Sequence, residues 1–162
     1  MIGDAAHAIV PFFGQGMNSG FEDCTVLGEI LDRRGDGAWE EAFAEFDRLR
    51  KPNAEAIADM ALENFVEMRD RVGDAAFLLR KQVEHRLELE MPREYRSRYS
   101  MVMYSHIPFR TALEAGRIQQ EILDDLCDGL RSAEALDLRR ASERVRERLS
   151  PFLRERGVTL DY

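Results

Sequence analysis

Gly3-Asp4-Ala5-Ala6-His7-Ala8-Ile9-Val10-Pro11-Phe12-Phe13-Gly14-Gln15-Gly16-Met17-Asn18-Ser19-Gly20-Phe21-Glu22-Asp23 is the stretch from which the rest of the chain is read. Met1 and Ile2 read as the end of a buried strand that runs into a Gly-Asp turn, as though the chain began inside a domain. A loop with glycines at 14 and 16 follows, and then a helix begins. Glycine permits φ values that other residues avoid and lets a ligand approach the backbone closely. The first turn of the helix presents unbonded N–H groups and the positive end of the helix dipole. That is an anion-binding arrangement. A GxG at a helix start is also common in plain glycine-rich loops, so the glycines alone do not decide between the two.

Outward from this stretch the pattern is helical nearly throughout. Phe21, Cys24, Leu27 and Leu31 recur at spacings of three and four, ending in Arg33-Arg34-Gly35. Trp39, Phe43, Phe46 and Leu49 mark a second amphipathic helix, which Pro52 is expected to end. Asn53 is expected to cap a third, with a stripe of Ile57, Met60, Ala61, Asn64, Met68 and Val72. Asp74 caps a fourth, carrying Phe77, Leu78 and Leu87 and stopping near Met91-Pro92. Tyr99, Met101 and Met103 alternate with Ser100, Val102 and Tyr104, which predicts a short extended segment near 97–104. A fifth helix follows Pro108, with Leu113, Ile122, Leu126 and Leu130 on its apolar face. A last one runs from about Ser132 to Arg156 on Leu138, Val145, Leu149 and Phe152. The expected fold is mainly α: a strand end, a glycine-rich turn, then about six helices.

Composition narrows the function classes. Hydrophobic residues are 44% of the 162, which is enough for a core, and charged residues are 33%. A net charge of -8 argues against a dedicated nucleic-acid binder, since such a surface repels phosphate. No stretch approaches the roughly 20 apolar residues of a membrane span, and no secretory signal pattern opens the chain. Cys24 and Cys127 lie far apart and outside any CxxC pair, so reduced thiols and a cytoplasmic setting are expected. His7, His85 and His106 have no zinc-site spacing with them, and neither HExxH nor GxSxG occurs. The Arg-rich face of the last helix reads as a solvated surface laced with charge pairs.

The whole constellation says more than its glycines. GDAAH at 3–7, Pro11, the GxGxN of Gly14 to Asn18, and Asp23 together resemble the second FAD-binding motif of the class A flavoprotein monooxygenases. The resemblance implies that Asp4 accepts hydrogen bonds from FAD hydroxyls. It implies that Gly14, Gly16, Met17 and Asn18 supply backbone donors, and that Pro11 sits over the reacting face of the flavin. A helix mouth there would stabilise charge on the reduced ring. No residue is assigned a catalytic role, because the oxygen chemistry belongs to the cofactor. His7 reads as a turn histidine packed on the adjacent strand or bonded to a backbone group.

The string DAAHAIVPFFGQGMNSGFEDC (4–24) resembles that of the branch of the family that hydroxylates L-kynurenine, with NADPH as co-substrate. ALENFVEMRDRV (61–72), RYSMVMYSHIPF (98–109) and ALEAGRIQQEIL (112–123) resemble the same branch, so the likeness covers roughly residues 1–126. The tail beyond reads as lineage-specific. By this resemblance Asn64 and Tyr99 contact the amino-acid end of the substrate, and Met68 and Phe12 line its aromatic part. An amide on the apolar stripe of its helix needs a partner in any case. The family's GxGxxG unit, which binds the ADP part of FAD, is not among these residues. The chain is therefore expected to be a C-terminal portion whose partner is the missing N-terminal FAD-binding part. The expected organisation is 1–34 for the second FAD motif and its helix, 35–130 for a helical region at the substrate pocket, and 131–162 for a C-terminal helix and tail. Two alternatives stay open: a different aromatic acid as substrate, and a non-enzymatic helical interaction module.

Overall fold

The computed structural model describes residues 1–162 apart from Asp36, Val72, Asp161 and Tyr162, so the expected place of Val72 on a helical stripe lies outside the described residues. Among the described residues the chain is mainly α and contains no strand. It forms two compact units, Met1–Arg69 and Asp70–Tyr162.

The first unit holds a 3-10 turn, Gly3–Ala5, then α1 (Gly16–Arg34) and the start and body of α2 (Trp39–Asp70). The expected strand end is absent. Ile2 has extended backbone, φ -135 and ψ 163, but it pairs with no strand and leads directly into the turn. α1 also departs from its expected face. Phe21 and Cys24 are exposed, and the buried residues are Ser19, Asp23 and Ile30. A carboxylate drawn inward by an ion pair sets the rotation of this helix, which the apolar spacing could not reveal.

Pro52 does not end a helix. α2 runs for 32 residues straight through it. Proline in a helix interior removes one N–H and crowds the carbonyl four residues back, at a cost of about 3 kcal/mol. Here the helix is kept by what it buries on both sides of the proline: Ala42 and Arg50 before it, and Ala54, Ile57, Met60 and Ala61 after. Asn53 caps nothing. Its Nδ2 donates back to the Leu49 carbonyl at 3.0 Å, within the continuous helix. Trp39 and Phe43, expected on a buried stripe, are exposed and stack on each other with centroids 5.9 Å apart.

The second unit is built from α3 (Ala75–Glu90), α4 (Arg98–Tyr104), α5 (Phe109–Cys127), α6 (Leu138–Arg144) and α7 (Ser150–Glu155). Asp74 caps α3 as expected, accepting from the Ala76 amide at 2.9 Å. α5 follows Pro108 and buries Leu113, Ile122 and Leu126, each worth about 1.5–3 kcal/mol of transfer. The extended segment expected near 97–104 is instead α4. Ser97 Oγ accepts from the Ser100 amide at 3.2 Å and opens the helix. The buried pair is Met101 and Val102, neighbours in sequence, whereas alternation would have buried every second residue. In a run as uniformly apolar as Met101-Val102-Met103-Tyr104 the period is not defined by polarity, and the serine cap decides.

The C-terminal helix is also interrupted. A 3-10 turn, Ala133–Ala135, precedes Asp137, whose carboxylate accepts from the amides of Arg139 and Arg140 to start α6. A π-helical turn, Val145–Leu149, then joins α6 to α7. Ala141, Val145, Leu149 and Leu153 are all buried, each four residues after the last. Arginines between and beside them are paired within the unit: Arg140 and Arg144 with Asp125, Arg146 with Glu94, Arg148 with Glu121 and Arg156 with Glu114. No helix of the described residues is long and apolar enough to cross a membrane.

Candidate functional site

The candidate site is assembled at the start of α1. Gly3 sits at φ +59 and Gly14 at φ +65, left-handed values that an L side chain adopts only with strain. The Gly3 carbonyl accepts from the amides of Ala6 and His7 at 2.8 and 3.0 Å, closing the turn that carries Asp4. This turn lies against α1 at Gly20. A Cβ on Gly20 would stand 3.6 Å from the Gly3 Cα, an ordinary van der Waals contact.

Asp4 is exposed, and its Oδ1 lies 4.0 Å from the position a Gly16 Cβ would take. The carboxylate therefore stands at the mouth of α1. No side chain of Gln15 caps the helix; its Oε1 accepts from Asn18 Nδ2 at 2.9 Å. The first amides of an α-helix have no acceptor within it, so the mouth offers donors beside the Asp4 acceptor. Space is open around Gly14, and Met17 is exposed. Pro11 is exposed at the tip of a tight turn in which the Phe12 amide donates to the Val10 carbonyl at 2.9 Å. The residues read from sequence as cofactor contacts are thus gathered at one end of one helix. An acceptor carboxylate, helix-start amides and glycine backbone without side-chain cover form a donor set that fits a polyhydroxylated, anionic ligand such as the ribityl and pyrophosphate part of FAD.

Beneath this surface is a buried polar knot that sequence reading missed. Asp23 is 1% exposed. Its Oδ2 accepts from the Gly3 amide at 2.9 Å and from His7 Nε2 at 2.6 Å, and its Oδ1 accepts from Arg50 Nε at 2.8 Å. Arg50 is 3% exposed and also reaches the Ser19 carbonyl at 3.3 Å and Glu22 at 2.9 Å. Burial raises the Asp23 carboxyl, but Arg50, the Gly3 amide and His7 outweigh it and hold the group below the usual carboxylate range. His7 therefore bonds a carboxylate, where a strand contact or a backbone partner was expected. Its Nδ1 is buried with no hydrogen-bond partner among the described residues. Arg50 carried one legible signal. It falls on the line Ala42, Phe46, Arg50, Ala54, where a charge on a burying face needs a partner.

Of the expected substrate contacts, Asn64 and Phe12 meet each other. Asn64 Nδ2 donates to the Phe12 carbonyl at 2.7 Å, and the Phe12 ring packs on Phe65 with centroids 4.6 Å apart. Met68, one turn beyond Asn64, is exposed. Tyr99 stands in the second unit on α4, about half exposed, with Tyr104 edge-on at 6.4 Å.

Residues 1–61 match the family model described as FAD binding domain. The chain is similar to kynurenine 3-monooxygenases. It is 58% identical over 156 residues to the kynurenine 3-monooxygenase of Myxococcus xanthus, covering 96% of this chain and 33% of that protein. Identity to the kynurenine 3-monooxygenase of Cytophaga hutchinsonii is 53% over 126 residues, 78% of this chain and 28% of the relative. For that of Xanthomonas campestris pv. campestris it is 45% over 152 residues, 94% and 33%. The chain spans about a third of the length of the curated relatives it matches. An alignment of 156 residues also carries the likeness to the Myxococcus kynurenine 3-monooxygenase past residue 126 into the tail.

Proposed function

We propose that this chain supplies the flavin-side contacts and part of the substrate pocket of an FAD- and NADPH-dependent monooxygenase that hydroxylates L-kynurenine to 3-hydroxykynurenine. The observation that carries this reading is the Asp4 carboxylate standing at the open mouth of α1, in a segment that matches an FAD binding domain. The bound flavin would supply the oxygen activation and electron transfer of the reaction. Asp4 accepts hydrogen bonds from cofactor hydroxyls and so fixes orientation. The amides of Gly16, Met17 and Asn18, with the open backbone at Gly14, stabilise negative charge at the helix mouth. Pro11 and Phe12 form an apolar cover that keeps water from the reacting face.

In the same reading Asn64 offers its Oδ1 to the amino-acid end of kynurenine, because its Nδ2 is engaged by Phe12. Met68 and Phe12 line the ring, and Tyr99, in the second unit, is assigned to the substrate by the family resemblance alone. The domain roles follow: 1–34 for the cofactor, 35–130 for the pocket and 131–162 for a stabilising C-terminal helix. The partner is an N-terminal portion that binds the ADP end of FAD, as the one-third coverage of the relatives supports. The free thiols of Cys24 and Cys127 are consistent with a cytoplasmic setting.

The test has two parts. Titration of the purified chain with FAD, followed by flavin fluorescence, is expected to show weak binding. Joining the chain to the remaining sequence of its protein is expected to give kynurenine-stimulated NADPH oxidation with 3-hydroxykynurenine formed. Stoichiometric retention of FAD by the chain alone would contradict the shared cofactor site. Stimulation by a different aromatic acid and none by kynurenine would overturn the substrate.

A further inference from the structure

We propose that Arg50 is a positioning residue for Asp4, acting through Asp23 to hold the Gly3-Asp4 turn at the mouth of α1. The inference rests on the flavin reading above for its purpose, and on the geometry of the knot for its content. Asp23 bonds two things at once. One oxygen takes Arg50 Nε from α2, and the other takes the Gly3 amide, the residue immediately before Asp4. His7, on the far side of the turn, bonds the same oxygen as Gly3. The turn is thus gripped at both ends by one carboxylate, while Asp4, Ala5 and Ala6 between them face outward, and Asp4 is the acceptor among them.

Arg50 decides where that carboxylate stands. Its guanidinium is a rigid fork, and here the fork spans Asp23, Glu22 and the Ser19 carbonyl, all on α1. Removing it leaves a carboxylate buried without its strongest partner, free to rotate or to draw in water. The close approach of Gly3 to Gly20 leaves no side chain between the turn and α1. The Asp23 bonds and this contact set the height of Asp4 over the helix mouth. An unrelated structural arginine would have no such reach, since the grip passes from α2 through α1 to residue 3.

The experiment compares Arg50→Lys, Arg50→Ala, Asp4→Ala and the Arg50→Ala/Asp4→Ala double variant of the full chain. Amide hydrogen exchange by NMR reads the turn, and quenching of flavin fluorescence reads FAD affinity. In Arg50→Lys the charge is kept and the fork lost, so exchange at the Gly3 amide is expected to quicken about tenfold while Ile57 and Met60 hold their protection. Arg50→Ala is expected to weaken FAD, and the double variant to bind no worse than Asp4→Ala alone, because the two act in series. Additive losses, or equal loosening of every amide from 1 to 69, would make Arg50 a general prop and overturn the proposal. An unchanged Gly3 amide in Arg50→Lys would overturn it as well. Loosening of Gly3 in a chain that takes up no FAD even when joined to the remaining sequence of its protein would support the positioning and overturn the flavin reading instead.

Discussion

Asn64 and Phe12, 52 positions apart, are joined by a hydrogen bond from the Asn64 side-chain amide to the Phe12 carbonyl at 2.7 Å. The bond ties the Pro11–Gly14 loop to α2 and fixes which end of the amide remains for a ligand. Replacing Asn64 by alanine is expected to lower stability by about 1–3 kcal/mol, the cost of stranding a partly buried carbonyl. Urea unfolding measures this, and limited proteolysis between Val10 and Gly14 should quicken in parallel. Asn64→Asp should be worse than alanine, because a carboxylate cannot donate to the carbonyl. If both substitutions left proteolysis unchanged, the loop would be held by the Phe12–Phe65 contact alone.

Pro52 interrupts the bonding of a helix that otherwise continues past it. Pro52→Ala restores an amide for the Arg48 carbonyl and removes the ring from the preceding turn. The expected gain is about 1–3 kcal/mol, seen as a higher urea midpoint with an unchanged slope. A loss of stability would mean that the proline shapes the packing of Arg50 or Ala54 on either side.

Asp23 gives the first unit a defined response to acid. Its folded pKa lies below its ordinary value, so the stability it contributes is present above about pH 4 and is lost as pH falls through the folded value. In Asp23→Asn this acid limb should become shallower. At neutral pH the variant should lose about 3–5 kcal/mol, since Arg50 keeps only Glu22 as an anionic partner. Thermal melts across pH 3–7 (roughly the span over which carboxyls titrate) give both quantities.

Glu84 in the second unit behaves in the opposite sense. Burial raises its carboxyl above the ordinary value, and Lys81 at 3.3 Å offsets this only in part. A raised acid contributes its stability below the unfolded pKa and loses it as pH climbs toward the folded one. Glu84→Gln should therefore melt higher than the parent at neutral pH and match it below about pH 4. A variant that melts lower at neutral pH would show that the Lys81 pair outweighs the burial.

How much of this was legible depended on whether a residue's reason lay near it in sequence. Asp74 and Pro108 mark helix starts by chemistry confined to a few residues, and both were read correctly. The alternating 99–104 run was misread because Met101 to Tyr104 are apolar without a break, and only the Ser97 cap distinguishes a helix. Pro52 was misread because a local rule was set against burial by residues on both sides of it. In the candidate site, Asp4, Gly14, Gly16, Met17 and Asn18 could be read as one group because the motif is contiguous. Arg50 was not found, since its partner Asp23 lies 27 positions away. Asn64 was noticed, but its grip on Phe12 could not be, because a polar residue on an apolar stripe announces only that some partner exists.

The π-helical turn at Val145–Leu149 resolves a mismatch of pitch. Residues four apart on an ordinary helix drift about 40° around its axis at every step, so Ala141, Val145, Leu149 and Leu153 would spiral off one face. A wider turn in the middle takes up that drift and returns Leu153 to the interior. The tail thus stores its alignment partly in backbone winding, so that rewinding these five residues as ordinary α-helix would swing Leu153 away from the interior, although no side chain in the core had been altered.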